Sequence, residues 1–439
     1  MEWTLAIVAA GMLGVAAVSR RLSGTPVTAA MAFVAFGLLV GPRVISGVDL
    51  ESSSSIVRTL AEATLALVLF SDASRIDLAE LRREASVPGR LLGLGLPMTI
   101  LLGAVAAALL FGEITIWEAI ILGVVLAPTD AALGQAVVTQ PTVPGRVRQG
   151  LNVESGLNDG ICVPLLFAAV AAADVESQIS EGRNALTLLF EEIGYGIVGG
   201  VVAGAAIAAI VVYAGRRDLI TGPWKQVVPA SGAALAYGLA SGLGGSGFIA
   251  AFAAGMVFRA LLRRDPDELN ELTDEVGNVL NGVTFIFFGA ILLGPALGEL
   301  TWQLVLYAVL SLTLIRMLPV AIAMLGSHAR LPTVGFLGWF GPRGLASIVF
   351  AVILVEESQL PHEHLLVLAV YATVGLSVFA HGLTAAPLAD RYGRWFRDNP
   401  RGDVESAVES GAGAVTRLRA GWAGLAGPDR RTASGPGDP

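Results

Sequence analysis

Three carboxylates and one carboxamide stand out in one run of the chain, Pro128 to Pro164, which reads PTDAALGQAVVTQPTVPGRVRQGLNVESGLNDGICVP. They are Asp130, Glu154, Asn158 and Asp159, and with Thr129 and Ser155 they lie within or beside long apolar stretches. An ionisable group inside a bilayer is costly, so by default it marks a functional site. Ser155, Asn158 and Asp159 fall at i, i+3 and i+4 and share one helical face. Pro128 breaks its helix in mid-membrane and frees backbone oxygens. Asp130 then stands at the N-terminus of a half-helix, where the macrodipole favours an anion. It could also act there only as a cap or counter-charge. Hard monovalent cations prefer oxygen ligands, and Asp130, Asp159, Ser155 and the Thr129 backbone supply them. The ligand expected is Na+, with Li+ or K+ as alternatives.

A carboxyl group taken out of water loses part of its preference for the charged form. Such a group holds either a proton or a cation, and that competition is sufficient for exchange, with no cofactor and no separate proton pathway. Two arginines also fall inside apolar spans, Arg316 in LTLIRMLPV and Arg343 in GPRG (Gly341 to Gly344). A lone membrane guanidinium is improbable, so both are expected in structural ion pairs, with Glu154 the available counter-charge near the site. Arg343 has two further alternatives, the carbonyl end of a crossing half-helix or Asp130. Asp72, in LVLFSDAS, is either another ligand or a carboxylate at the cytoplasmic edge. Gly156 and Gly160 form a small-x-x-x-small pair that lets a neighbouring backbone approach.

These residues need a membrane scaffold, and the composition supplies one. The chain has 439 residues, is 54% hydrophobic and 15% charged, and its mean hydropathy is +0.70. Apolar runs of about 20 residues recur along most of it, too many for one soluble core. Thirteen spans are expected, at 3–19, 26–40, 56–71, 91–111, 114–140, 151–173, 186–214, 225–243, 246–262, 274–297, 301–325, 332–355 and 364–388. Alternate connections carry fifteen Lys and Arg residues, among them Arg82, Arg83, Arg146, Arg148, Arg263 and Arg264. The intervening ones hold only Arg43 and Arg183. This asymmetry predicts an outside N-terminus and a cytoplasmic C-terminus. The outer connections are acidic (Asp49, Glu113, Glu181 and Glu299 among others), as solvated loop ends or as a funnel for cations. The net charge of −8 gives no sign of a nucleic-acid partner.

Met1-Glu2-Trp3 lacks a basic n-region, so the first apolar run reads as a span. The single Cys162 excludes an intrachain disulfide. Residues 1–388 form the transmembrane domain, and 389–439 are expected to be a cytoplasmic tail, partly disordered. With the seventh span as a connector, two six-span halves of inverted topology remain. Pro128 and Pro342 interrupt the fifth and twelfth spans, which hold matching positions in the two halves. Such interruptions point to a binding site between repeats.

The runs PTDAALGQAVV, VPGRVRQGLNVESGLNDG, GPRG and AHGLTAAPL together resemble the NhaP-like branch of the monovalent cation:proton antiporters, relatives of the animal sodium/proton exchangers. The resemblance spans all the expected helices but not the tail. It implies an all-α homodimer in the plasma (inner) membrane, with a dimerisation part and a core that moves like an elevator. It further implies an ion site at Asp130, Asp159, Ser155, Thr129 and Asn158, a Glu154–Arg316 brace, and a role in pH and cation homeostasis. Electrogenic members resemble one another in carrying two aspartates where this chain has Asn158-Asp159, so electroneutral one-for-one exchange is expected. The only lysine, Lys225, lies in a loop. A membrane serine protease using Ser246 (GGSG) and His381 is a weak rival that leaves the carboxylates unexplained. A cation channel would need a repeated filter or charge ring, which the sequence does not show.

Overall fold

The computed structural model describes residues 2–22, 25–44, 50–76, 86–130, 133–134, 137, 140–177, 185–262, 267–357 and 360–399. Most of the second half of the expected fifth span, the tail after residue 399, and Asp49, Arg82, Arg83, Glu181, Arg183, Arg263 and Arg264 lie outside these. Every regular element among the described residues is helical: α1 (Glu2–Leu22), α2 (Ala29–Val44), α3 (Leu50–Arg75), α4 (Ser86–Leu110), α5 (Ile116–Val125), α6 (Gly145–Ser177) and α7 (Ala185–Arg216) in the first part. There follow α8 (Gly222–Gly242), α9 (Gly247–Leu261), α10 (267–296), α11 (Trp302–Ala323), α12 (Leu331–Trp339), α13 (Leu345–Glu357) and α14 (Glu363–Asp398). Among the described residues, seven helices are long and apolar enough to cross a membrane, and four shorter apolar ones accompany them. Leu5, Leu39, Leu109 and Leu331 lie exposed on the outer surface.

The site is positioned by α6, which packs against α3, α4, α5, α7, α9 and α12. The start of α5 is fixed by a capping box, in which Thr115 and Glu118 satisfy each other's backbone amides. Glu118 also accepts from the His362 amide at 2.8 Å, tying α5 to the start of α14. Small residues let other helices close up. A Cβ on Gly200 or Gly204 of α7 would lie 2.9 Å from the Cα of Ala250 or Ala254 on α9. Phe70, Ala203, Ala236, Ala254 and Phe258 thus form an apolar cluster of α3, α7, α8 and α9, separate from the core around α5, α13 and α14.

Three irregularities were not expected from the sequence. α4 and α10 carry π-helical turns at Leu91–Gly95 and Phe288–Leu293. α11 is interrupted at Thr313 (φ −112, ψ −93), one turn before Arg316. The final helix runs to Asp398, ten residues past the expected end of its span. Arg397 suits its negative C-terminal end, and Pro400 restricts Asn399 away from helical geometry.

Candidate functional site

Two chain breaks meet at the centre of the site. α5 ends at Val125 and α12 at Trp339, and irregular backbone follows each, through Leu126–Asp130 and Phe340–Gly344. The Asp130 amide donates to the Pro342 carbonyl at 2.8 Å. Asp130 Oδ2 accepts from the Leu345 amide at 3.0 Å, at the first turn of α13, and Oδ1 accepts from Leu133 at 3.4 Å. In the opposite sense, Arg343 Nη1 donates to the carbonyls of Ala127 and Pro128. Ser347 adds a hydrogen bond of 2.7 Å to the Val125 carbonyl. Each break therefore supplies the charge that the other helix end lacks, an anion for the orphan amides of α13 and a cation for the orphan carbonyls of α5.

This corrects the expectation of an ion pair for Arg343, whose hydrogen-bond partners are backbone carbonyls. The reason is that a helix ending inside the protein leaves acceptors that only a donor can satisfy. A Cβ on Gly344 would overlap the Asp130 carboxyl group, so the crossing requires glycine there.

The polar face of α6 packs onto the unwound segment of the first break. Ser155 Oγ donates to the Thr129 carbonyl at 2.6 Å, and Asn158 Nδ2 donates to Thr129 Oγ1 at 2.7 Å. Asp159 follows on the same helix, 7% exposed. Asn158 Oδ1 and Asp159 Oδ1 are buried and have no hydrogen-bond partner among the described residues. Asp159, Asp130 and Asp72 lie close enough to act on one another electrostatically. A cavity lined by Thr129, Asp130, Leu151, Ser155, Phe340 and Pro342 adjoins this group. Asp72 is half-buried on α3, and a Cβ on Gly156 would stand 3.3 Å from its own Cβ. A Cβ on Gly160 would meet the Phe252 ring of α9. The two α6 glycines thus make room for neighbouring side chains, where a neighbouring backbone was expected.

One turn away, Glu154 and Arg316 are both 1% exposed and bonded in a fork, Nη1 to Oε1 at 2.5 Å and Nη2 to Oε2 at 2.8 Å. Gly341 leaves the space that the Arg316 side chain fills. Sequence reasoning missed Ser347 and Ser377, and it weighed His381 only for the rival protease reading. Ser377 Oγ accepts from the Arg343 amide at 2.7 Å, and His381 bonds Ser377 and the Trp339 carbonyl. Their signal was available, since each is a polar side chain inside an apolar span. Ser246 instead caps α9 by accepting from Ile249 at 3.4 Å. The protease reading therefore finds its serine and histidine engaged with other partners.

Among the described residues, helices long enough to span a membrane, two breaks that cross and charged groups buried at the crossing are the features of a multi-pass membrane protein. A profile of the transmembrane sodium/hydrogen exchanger family matches residues 6–391, and the chain belongs to that family. It is 25% identical over 355 residues to Na(+)/H(+) antiporter 2 of Zygosaccharomyces rouxii, covering 74% of this chain and 42% of that protein. It is 27% identical over 402 residues to the K(+)/H(+) antiporter NhaP2 of Shewanella sp. (strain ANA-3), covering 88% of this chain and 66% of that one. The chain thus spans about two-fifths to two-thirds of the length of these relatives. The sodium proton antiporter MjNhaP1 of Methanocaldococcus jannaschii shares the fold, with a TM-score of 0.73 at 21% identity over 90% of this chain and all of that one.

Proposed function

We propose that this protein is a secondary active antiporter that exchanges a monovalent cation for H+, one for one. The observation that carries the reading is the pair of buried oxygens, Asp159 Oδ1 and Asn158 Oδ1, that have no hydrogen-bond partner among the described residues and stand beside Thr129 and Ser155. A buried polar atom left without a partner costs about 1–3 kcal/mol, more if charged, so this arrangement suits a group that binds something in turn. Asp159 alternates between proton and cation. Asp130, Ser155 and the Thr129 carbonyl complete the oxygen shell, with Asp72 approaching from α3. Asn158 contributes no charge, so turnover is electroneutral. Glu154 and Arg316 brace the core and do not touch the ion.

Na+ is the first substrate to test, and Li+ and K+ follow, since relatives at similar identity are named for Na+ and for K+. The chain forms thirteen spans in two inverted halves around α7, and works as a homodimer in the plasma membrane with an elevator-like core. The separate apolar cluster of α3, α7, α8 and α9 supports a division into two bodies. The protein serves pH and cation homeostasis, with its N-terminus outside and its C-terminus in the cytoplasm. Everted membrane vesicles test both claims. Na+, Li+ or K+ should collapse an imposed proton gradient, and a reporter fused after residue 399 should be accessible from the medium. No pH response to any of the three ions would sink the exchange reading, and a sealed reporter would sink the orientation.

A further inference from the structure

The end of α14 carries a basic and aromatic stretch, RYGRWFRDNP, that takes no part in the crossing. Its aromatic side chains and those of α12 enclose a cleft, with walls from Phe336, Trp339, Phe340, Leu388, Tyr392 and Trp395 and one charged lining residue, Arg391. The cleft has a cavity volume of about 330 Å³, at the lower end of the range of ligand sites. We propose that it binds an anionic phospholipid of the surrounding bilayer, acyl chain against the rings and phosphate against the arginines.

Charge and chemistry commit the site to that occupant. Arg391, Arg394 and Arg397 follow at i, i+3 and i+6, are exposed, and have no ion pair among the described residues. Two carboxylates flank them, leaving a net charge of +1 over residues 390–398. Asp390 is bonded to the Gln140 side chain, and Asp398 stands alone at the helix end. Arg330 lies 4.3 Å over the Trp395 ring and donates to the Asn399 carbonyl at 2.6 Å, so it shapes the rim. Leu331 at the start of α12 is 86% exposed, continuing the apolar wall outward. Tyr and Trp with arginine is the composition of a membrane–water boundary. A basic cluster there attracts anionic headgroups by about 1 kcal/mol per residue, or about fivefold in affinity. Phe340 lines both this cleft and the cavity beside Asp130. A bound lipid therefore contacts the segment that holds Arg343, and occupancy should change the exchange rate. Only that last step rests on the exchange reading, because lipid retention is measured without transport.

The test is native mass spectrometry of the purified full chain in detergent, offered phosphatidylglycerol against phosphatidylcholine. Wild type should retain phosphatidylglycerol preferentially. The double variant Arg391→Gln, Arg394→Gln should lose about fivefold per arginine, and the lysine counterparts should keep the preference. Leu388→Trp should fill the cleft and remove retention with the arginines intact. If that variant misfolds by thermal unfolding, the arginine series alone decides. Equal retention by wild type and the glutamine variant would overturn the proposal. So would displacement of the lipid by inorganic phosphate, which would make this a free-anion site. In vesicles, an exchange rate unmoved by phosphatidylglycerol would overturn the coupling through Phe340.

Discussion

Glu154 and Asp159 stand five residues apart on one helix, both buried, and differ in what they touch. Glu154 has both oxygens on the Arg316 guanidinium. Asp159 has a buried oxygen with no partner among the described residues. Burial alone therefore does not mark an ion-binding carboxylate. A saturated carboxylate stabilises the fold, and one left with open valence is free to exchange what it holds. The same contrast runs through the crossing. Asp130 is part of the structure through the Leu345 amide and part of the site through the cavity beside it.

The comparison can be broken at Asp159 first, where the largest effect is expected. Asp159→Asn should abolish cation-dependent proton movement while thermal unfolding stays unchanged or shifts upward, because a desolvated charge is removed without breaking a hydrogen bond made by Oδ1. Glu154→Gln and Arg316→Ala should show the reverse pattern. Removing one partner of a buried pair leaves the other uncompensated, at about 3–5 kcal/mol. Thermal unfolding of each variant reads this directly. Full stability in Glu154→Gln together with a shifted cation affinity would make Glu154 a ligand. A far smaller loss of stability than at the Glu154–Arg316 pair should come from Asp130→Asn. The one oxygen of asparagine still accepts from the Leu345 amide but not also from Leu133, so the long 3.4 Å bond is lost together with the charge–dipole part, about 0.3–1 kcal/mol. Exchange should nevertheless fall severely. An Asp130→Asn variant with wild-type exchange would reduce Asp130 to a cap.

What was legible in the sequence was local. Long apolar runs specify membrane helices, and Pro128 and Pro342 mark breaks because proline lacks the amide that a helix interior needs. Ser155, Asn158 and Asp159 share a face by spacing alone. The break at Thr313 was not legible, since neither proline nor glycine occurs there. Arg343's partners were among the alternatives but could not be chosen, because they depend on how two distant segments cross. Gly156 and Gly160 signalled close packing correctly but not what packs. Asp72 and Phe252 come from helices far away in sequence. Cation selectivity depends on cavity dimensions, which no single residue type encodes.

The most direct measurement uses proteoliposomes of wild type and Asp159→Asn, following cation-driven proton movement with and without an imposed membrane potential. Wild type should exchange at the same rate under both conditions, and Asp159→Asn should not exchange under either. Robust exchange by Asp159→Asn would remove this residue from the mechanism, and a wild-type rate that tracks the potential would contradict one-for-one exchange.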